Sequence, residues 1–307
     1  MTHYNSLNDY CRKEFGKKLY KLSLEGATTC PNRDGTVGTG GCIFCSDEGS
    51  GEFSEKRCND INLQIENAKK RVEHKNRNGG YIAYFQSFTN TYAPIDFLRK
   101  IFTDAISHPD IDVLSIATRP DCLGDEVIEL LKELNSIKPV WVELGFQTSN
   151  EKSAEFIRRG YRNEVFSEAV QKLSNIGIKV VAHVIIGLPN ETFEDMKNTV
   201  KFVCDSGIWG IKLHLLHVLK GTDLEKIYLE NRFRCFEMNE YIDIICSLVE
   251  TIPDNIIIHR LTGDGDKKKL VAPLWSGNKR LVLNELSKTM DIKCIQQGKQ
   301  LLSEKYS

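Results

Sequence analysis

The sequence lacks long apolar segments and an apolar N-terminal core. It contains no run of about 18 apolar residues, the length that a membrane-spanning helix needs. Its first residues, MTHYNSLNDYCRKEFGKK, are polar and have no apolar stretch of the kind that a secretory signal carries. These absences predict a cytoplasmic protein with no membrane partner.

The sequence also lacks a charge excess of either sign. Its 41 basic and 42 acidic residues leave a formal net charge of −1, so no global field draws the chain to nucleic acid. Local basic clusters remain at 69–71 and 267–269. Internal repeats and low-complexity tracts are absent as well. With 307 residues, the chain has room for one large α/β domain or two modest ones.

Short apolar or β-rich runs alternate with helix-like stretches through the first two thirds of the chain. The strand-like runs are 19–24, 81–85, 113–118, 140–146, 179–187 and 210–218. The helix-like stretches are 60–77, 94–107, 124–135, 150–159, 163–176 and 192–206. This alternation predicts parallel βαβ units, arranged either as a full or partial barrel or as a doubly wound sheet. Periodicity does not separate the two folds.

The alternation weakens beyond residue 220. We expect helices near 237–251 and 278–290 and a short strand at 255–259. No linker marks this part as a separate domain. The expected organisation is therefore an N-terminal segment, a main unit and a C-terminal extension of the same domain, at 1–18, 19–222 and 223–307.

Three cysteines lie in a glycine-rich loop that follows the first strand-like run. Eleven residues separate Cys30 from Cys42, and Cys42 and Cys45 form a C-x-x-C pair. Four thiolates normally hold a four-iron cluster, so three would leave one iron open to another molecule. A structural zinc site would take a fourth ligand, for which Cys58 is available. The residues alone leave both metals open.

The cysteine loop and several later motifs resemble the radical S-adenosylmethionine (SAM) superfamily. The usual spacing there is C-x-x-x-C-x-x-C. The longer first gap found here resembles the YhcC/YtqA branch, which is related to the radical SAM domain of the elongator catalytic subunit. The segments that carry the resemblance are TTCPNRDGTVGTGGCIFCS (28–46), YFQSFTNTY (84–92), ELGFQTSNE (143–151), IRRGY (157–161), HVIIGLPNET (183–192), KLHLLHVLKGT (212–222) and RLTGDGDKKKLVAPLWSGNKR (260–280).

The resemblance implies an α/β fold, a partial (β/α)6 radical SAM barrel with the C-terminal extension packed on it. Cys30, Cys42 and Cys45 would ligate a [4Fe–4S] cluster whose open iron chelates SAM. An electron from a donor such as flavodoxin or ferredoxin would cleave SAM to methionine and a 5′-deoxyadenosyl radical. That radical would take a hydrogen atom from the substrate, while the protein orients the cofactors.

The resemblance also implies a set of residues around SAM. Phe88, Thr89 and Asn90 follow the second strand, where the family contacts the amino group of SAM. Arg159 would clamp the SAM carboxylate with its planar guanidinium. The full expected set is Phe44 as a shield against water, Phe88, Thr89, Asn90, Gln147 near the ribose, Arg159, and Gly187 where the backbone approaches adenine.

Four further residues are candidates for the substrate side of the barrel mouth. Glu143 is either a site residue or half of a buried pair. His183 and His214 would line the mouth or lie in the core, whereas His217 would face the opposite side of the strand from His214. Lys212 is a candidate for contacting an anionic substrate.

The resemblance suggests tRNA as the substrate. The expected reaction converts 5-carboxymethylaminomethyl-uridine at the wobble position into 5-aminomethyl-uridine. Two alternatives stay open: a radical SAM enzyme that acts on a small molecule such as a porphyrin precursor, and a non-enzymatic zinc-binding scaffold. The sequence itself shows no recognisable RNA-binding module.

Overall fold

A computed structural model describes residues 2–26, 28–47, 49, 54, 60–76, 78–263 and 265–304. Cys58, the possible fourth metal ligand, lies outside the described residues.

The described residues form a seven-stranded parallel sheet that curls into a half-barrel. Its strands, in spatial order, are β1 (Leu19–Leu24), β2 (Gly80–Phe85), β3 (Ile111–Thr118), β4 (Val140–Gln147), β5 (Lys179–Ile186), β6 (Gly210–Leu215) and β8 (Ile257–Arg260). A separate antiparallel pair consists of β7 (Val218–Leu219) and β9 (Leu270–Ala272). The partial barrel expected from the resemblance is thus confirmed, and a seventh strand from the C-terminal part continues the six.

Helices follow most of the strands, as the alternation predicts. They are α1 (Leu7–Phe15), α2 (Ile61–Val72), α3 (Ile95–Ser107), α4 (Asp125–Asn135), α5 (Glu151–Phe156), α6 (Asn163–Asn175), α7 (Phe193–Asp205), α8 (Asp223–Leu229), α9 (Met238–Val249), α10 (Lys279–Ile292) and α11 (Lys299–Glu304). None of the helices in the described part of the chain is long and apolar enough to cross a membrane. The sequence did not predict α1, α8 or α11.

The sheet has two faces with different occupants, because alternate residues of a strand point to opposite sides. On β4, Val142, Leu144 and Phe146 belong to the large apolar core beneath the helices. Glu143 and Gly145 face the inside of the half-barrel, where they line a cavity. One strand therefore builds the core with one set of residues and the site with the other.

Helix α1 closes the end of the half-barrel at which the strands begin. Its Cys11 packs with Val113 and Trp141 in a small apolar cluster on the inner face. The rings of Tyr10 and Trp209 lie 4.8 Å apart in an edge-to-face contact. This end of the inner face is therefore filled, and the carboxyl ends of the strands lie at the opposite end.

Candidate active site

A cavity of about 270 Å3 lies on the inner face, at the carboxyl ends of the strands. The carboxyl ends of parallel strands are where α/β folds place their sites. Most of the residues expected from the sequence line this cavity: Cys30, Cys42, Phe44, Cys45, Phe88, Thr89, Glu143, Gln147, Arg159, His183 and His214. Asn90, Gly187 and Lys212 do not.

The cysteine loop is fixed to the turn that follows α5. The side chain of Asn32 donates a hydrogen bond of 2.6 Å to the carbonyl of Arg158, and the amide of Ile43 donates to the carbonyl of Ile157. Gly41 has φ +70°, a conformation that favours glycine. These contacts hold the C-x-x-C pair over the cavity.

The three thiols fit a cluster better than a single metal ion. Thiolates around one zinc would lie about 3.8 Å apart, given a Zn–S bond of about 2.3 Å. Among the described residues, the sulfurs of Cys30, Cys42 and Cys45 do not all lie within 4.8 Å of one another. They nevertheless line one cavity, as the corners of a larger iron–sulfur cube would require.

The thiol of Cys42 stays protonated at neutral pH in the absence of a metal. Burial, followed by the charge of Cys45, raises the pKa of Cys42 to about 12, although a 3.5 Å contact from the Asn32 amide opposes the shift. A metal must displace that proton to bind. Arg33 braces the same loop by donating to the carbonyls of Cys45 and Ser46.

The segment after β2 divides into cavity-lining and structural residues. Phe88 and Thr89 line the cavity, with Phe88 at φ +56°. Asn90 is fully buried, and its amide donates to the carbonyls of Phe85 and Ala117, at the ends of β2 and β3. We therefore assign Asn90 to joining two strands rather than to the SAM pocket.

Gln147 reaches the cavity through an irregularity at the end of β4. The register against β5 shifts between Gly145 and Gln147, and Gln147 has φ +68°. Such bulges redirect a side chain and occur often beside active sites. The hydroxyl of Tyr161 lies 3.5 Å from Oε1 of Gln147 and also donates to the carbonyl of Gly145.

Arg159 is positioned differently from the clamp that the resemblance implies. It is 1% exposed, and each of its five N–H donors already has an acceptor. The acceptors are the carbonyls of Tyr161, Phe146 and Thr148, the carboxylate of Glu151 and the side-chain oxygen of Asn163. The guanidinium holds the loop after β4, and none of its donors remains for the carboxylate of SAM.

Gly187 meets a side chain rather than open space. It has φ +93°, and an added Cβ would lie 3.0 Å from the ring of Phe236. The glycine at this turn thus admits an aromatic ring from the C-terminal part of the chain. Nothing in this contact supports the expected approach to adenine.

A layer of buried and partly buried polar groups forms the floor of the cavity, and we call it the charged layer: Lys21, Tyr84, Ser115, Glu143, His183 and Lys212. The carboxylate of Glu143 is 0% exposed and accepts hydrogen bonds from Lys21 at 2.6 Å, Ser115 at 2.9 Å and His183 at 2.7 Å, as well as from Lys212. Burial alone would raise the pKa of Glu143, but Lys21 and Lys212 outweigh it and hold that pKa well below its usual range.

Two histidines line the cavity, His183 of the charged layer and His214. Burial, then the charge of Lys212, lowers the pKa of His183 to about 4, so its ring is neutral at pH 7 and donates from Nε2 to Glu143. The ring of His214 lies 5.1 Å from that of His183. His217 follows the end of β6 and also lines the cavity, so the expectation that it faces away from His214 is wrong.

Several residues of the site were not expected from the sequence. Lys21, Tyr84 and Ser115 complete the charged layer, and Arg260 on β8 lines the cavity. The period-two pattern on β1 gave a usable signal, because Lys21 shares a face with Leu19, which packs against the cluster that α1 covers. Arg260 offered no such signal, since its inward position depends on strand pairing.

The described residues include one compact group of metal-binding type outside the cavity. Glu66, His108 and Asp110 present ligand atoms within 4.8 Å of one another at the surface. The ammonium of Lys69 bonds to both carboxylates, at 2.8 and 2.5 Å. A lysine already neutralises this group, and we assign no metal to it.

Family comparison defines the class of protein. Residues 28–203 match the radical SAM superfamily, and residues 208–291 match the radical SAM C-terminal domain. The chain therefore belongs to the radical SAM superfamily, and its cofactors are a [4Fe–4S] cluster and SAM.

Individual relatives narrow the branch. The chain is 44% identical to YtqA of Bacillus subtilis over 296 residues, which is 96% of this chain and 92% of YtqA. It is 34% identical to YhcC of Escherichia coli over 280 residues, 91% of this chain and 89% of YhcC. A more distant relative is the tRNA uridine(34) acetyltransferase of Methanocaldococcus jannaschii, 27% identical over 184 residues, 59% of this chain but 34% of that protein.

A solved structure shares the fold. The archaeal Elp3 of Methanocaldococcus infernus superimposes with a TM-score of 0.68 at 18% identity. The match covers 91% of this chain and 64% of the Elp3 chain, so this chain spans less than two thirds of that structure.

Proposed function

We propose that this radical SAM enzyme acts on the wobble uridine of tRNA and converts 5-carboxymethylaminomethyl-uridine into 5-aminomethyl-uridine. The observation that carries this proposal is that the three thiols and a set of polar side chains line the same cavity. The similarity to a protein named for tRNA uridine 34 supports the substrate class.

In this proposal Cys30, Cys42 and Cys45 hold the cluster, while Phe44, Phe88, Thr89 and Gln147 line the SAM side of the cavity. The bound cofactors supply reductive cleavage of SAM and hydrogen-atom abstraction from an unactivated carbon. The chain contributes a loop that fixes the thiols and a cavity closed at its lower end by α1. A reducing donor such as flavodoxin or ferredoxin and a cytoplasmic location complete the proposal.

A base that reacts inside this cavity must leave its stack. Enzymes that act on a nucleobase take it out of the stack into a closed pocket, which costs least for a base that is already single-stranded. A wobble base in an anticodon loop meets that condition. The inner face of the half-barrel supplies the pocket, with groups from β2 to β8 around it.

The modified nucleosides of tRNA test this proposal. We expect cells that lack the gene to accumulate 5-carboxymethylaminomethyl-uridine and to lose 5-aminomethyl-uridine and its derivatives, as measured by mass spectrometry of digested tRNA. The gene should restore the wild-type profile, whereas its Cys42→Ala form should not. An unchanged nucleoside profile would count against tRNA and leave a small-molecule substrate.

A further inference from the structure

Arg260 lines the cavity, and no described residue serves as its counter-ion. Among the described residues, no hydrogen bond or ion pair engages its guanidinium, although it interacts electrostatically with Tyr84, Lys212 and His214. A guanidinium carries five donors and stays charged at any physiological pH. An arginine that faces a cavity without a partner is arranged for an anion from outside the chain.

Strand pairing aims Arg260 inward. The register between β6 and β8 shifts between Ile211 and Lys212, so that Ile211 pairs with Ile258 and Lys212 with Arg260. The shift leaves His259 as an extra residue in β8, and the side chain of Arg260 emerges on the cavity side. Irregularities of this kind redirect side chains next to active sites.

Among the described residues around Arg260, basic groups outnumber acidic groups. Lys21, Lys212 and Arg260 face one carboxylate, that of Glu143, which the two lysines already engage. The buried Nε2 of His214 likewise has no hydrogen-bond partner in the described part of the chain. An oxyanion bound here would satisfy Arg260 and His214 together and would balance the charge.

The location assigns this anion to the substrate rather than to SAM. Cys30 follows β1, at one edge of the sheet, and Arg260 lies on β8, at the other edge. The residues on the SAM side follow β2 and β4, whereas His183, His214 and Arg260 come from β5, β6 and β8. A backbone phosphate remains outside when a base enters a pocket, so a carboxylate on the base is the group that reaches the wall.

We propose that Arg260, together with His214, binds a carboxylate of the substrate inside the cavity. The proposal rests on the proposed function, in which the carboxymethyl group of the modified uridine supplies that carboxylate. Arg260 is thus a specificity residue that distinguishes the acid from the aminomethyl product, which carries no carboxylate.

A small carboxylate tests the subsite without RNA. The thermal unfolding of the cluster-loaded protein with saturating SAM is measured with N-acetylglycine and with its neutral analogue N-acetylglycinamide. We expect only the acid to raise the Tm of the wild type, because ligands that bind the native state stabilise it. The rise should vanish in Arg260→Gln and persist in part in Arg260→Lys, which keeps the charge.

The matched control is Arg232→Gln, which removes one positive charge from a side chain that is 62% exposed. This variant should respond to the acid as the wild type does. Equal rises in the wild type and in Arg260→Gln, or no rise in the wild type at any concentration of the acid, would overturn the subsite.

A second arm joins the subsite to the substrate. Two anticodon stem-loop RNAs carry either 5-carboxymethylaminomethyl-uridine or its methyl ester, and their affinities are measured by fluorescence anisotropy. We expect the acid to bind roughly tenfold to a hundredfold more tightly than the ester, the range for a charged hydrogen bond. Arg260→Gln should weaken the acid alone; equal weakening of both RNAs would contradict a carboxylate subsite.

The two arms separate the two proposals. If tRNA nucleosides are unchanged in cells without the gene while Arg260→Gln still loses its response to N-acetylglycine, the subsite stands and the tRNA substrate fails. If the nucleosides change while Arg260→Gln responds to N-acetylglycine as the wild type does, the tRNA substrate stands and the carboxylate subsite fails.

Discussion

Glu143 shows how far a single residue can be interpreted from sequence. Its position on a strand indicated either a site residue or half of a buried pair, and the structure shows a carboxylate with two lysines. The sequence did not identify Lys21 as a partner because the two residues are far apart in the chain and β1 and β4 are not neighbours in the sheet. Only the curl of the half-barrel brings them together.

Replacing Glu143 should destabilise the fold strongly. Glu143→Gln leaves the buried ammonium of Lys212 and the partly buried ammonium of Lys21 without a counter-charge, and we expect a loss of about 3–5 kcal/mol in the free energy of unfolding, measured by urea denaturation at pH 7. Glu129→Gln, on an exposed face of α4, is the control and should change it by less than about 0.5 kcal/mol. A loss in Glu143→Gln no larger than that of the control would contradict the charged layer.

The free energies of unfolding of the wild type and of Glu143→Gln should converge in acid. Because the folded pKa of Glu143 is depressed, its ionisation stabilises the fold above the unfolded pKa of about 4.3. That contribution disappears as the pH falls through the folded pKa. The difference between wild type and Glu143→Gln should therefore narrow below about pH 4.3.

Arg159 shows the limit of transferring a role by motif. Its place one helix after Gln147 suggested a clamp for a carboxylate, but a sequence gives no information about which acceptors surround a guanidinium. Three backbone carbonyls and two side chains occupy its donors. Arg260 has no comparable set of acceptors among the described residues. The sequence predicted a short strand next to it, but not that this strand pairs with β6.

At the scale of elements, local patterns were sufficient for most strands and helices. The six strand-like runs and the six helices between them all occur, with ends that shift by a few residues. The register shifts at Gln147 and Lys212 were not predictable, because a bulge is a property of two paired strands. Helix α1 was missed although both of its end signals are in the sequence, with Ser6 as the N-cap and Gly16 as the C-cap.

The start of α7 confirms a capping signal read from the sequence. Thr192 accepts a hydrogen bond from the amide of Asp195 at 3.2 Å, and the Asp195 carboxylate accepts from the amide of Thr192 at 2.8 Å. Thr192→Ala should therefore lower the free energy of unfolding by about 1 kcal/mol in urea denaturation.

The control for that prediction is Thr192→Ser, which keeps the hydroxyl and should stay close to the wild type. If the alanine and serine variants unfold at the same urea concentration, the capping box does not stabilise the fold and its helix is held by packing alone.

At the scale of the whole molecule, periodicity left a barrel and a doubly wound sheet as equal candidates. The resemblance favoured the barrel, and the curled sheet confirms it. The site follows from this architecture. Helix α1 fills one end of the half-barrel, and other helices cover its outside. Every second residue of a strand points inward, and the polar ones among these residues face the cavity at the other end. The sequence could place the cysteines after β1, but only the fold places them opposite β8.

The central claim is that three thiols hold a cluster with one open iron. The most direct test is metal analysis of the anaerobically purified wild type, Cys42→Ala and Cys58→Ala, with electron paramagnetic resonance of the reduced proteins before and after SAM is added. We predict a four-iron cluster in the wild type and in Cys58→Ala, with a spectrum that changes when SAM binds, and none in Cys42→Ala. Stoichiometric zinc in the wild type, or loss of the metal in Cys58→Ala as complete as in Cys42→Ala, would contradict it.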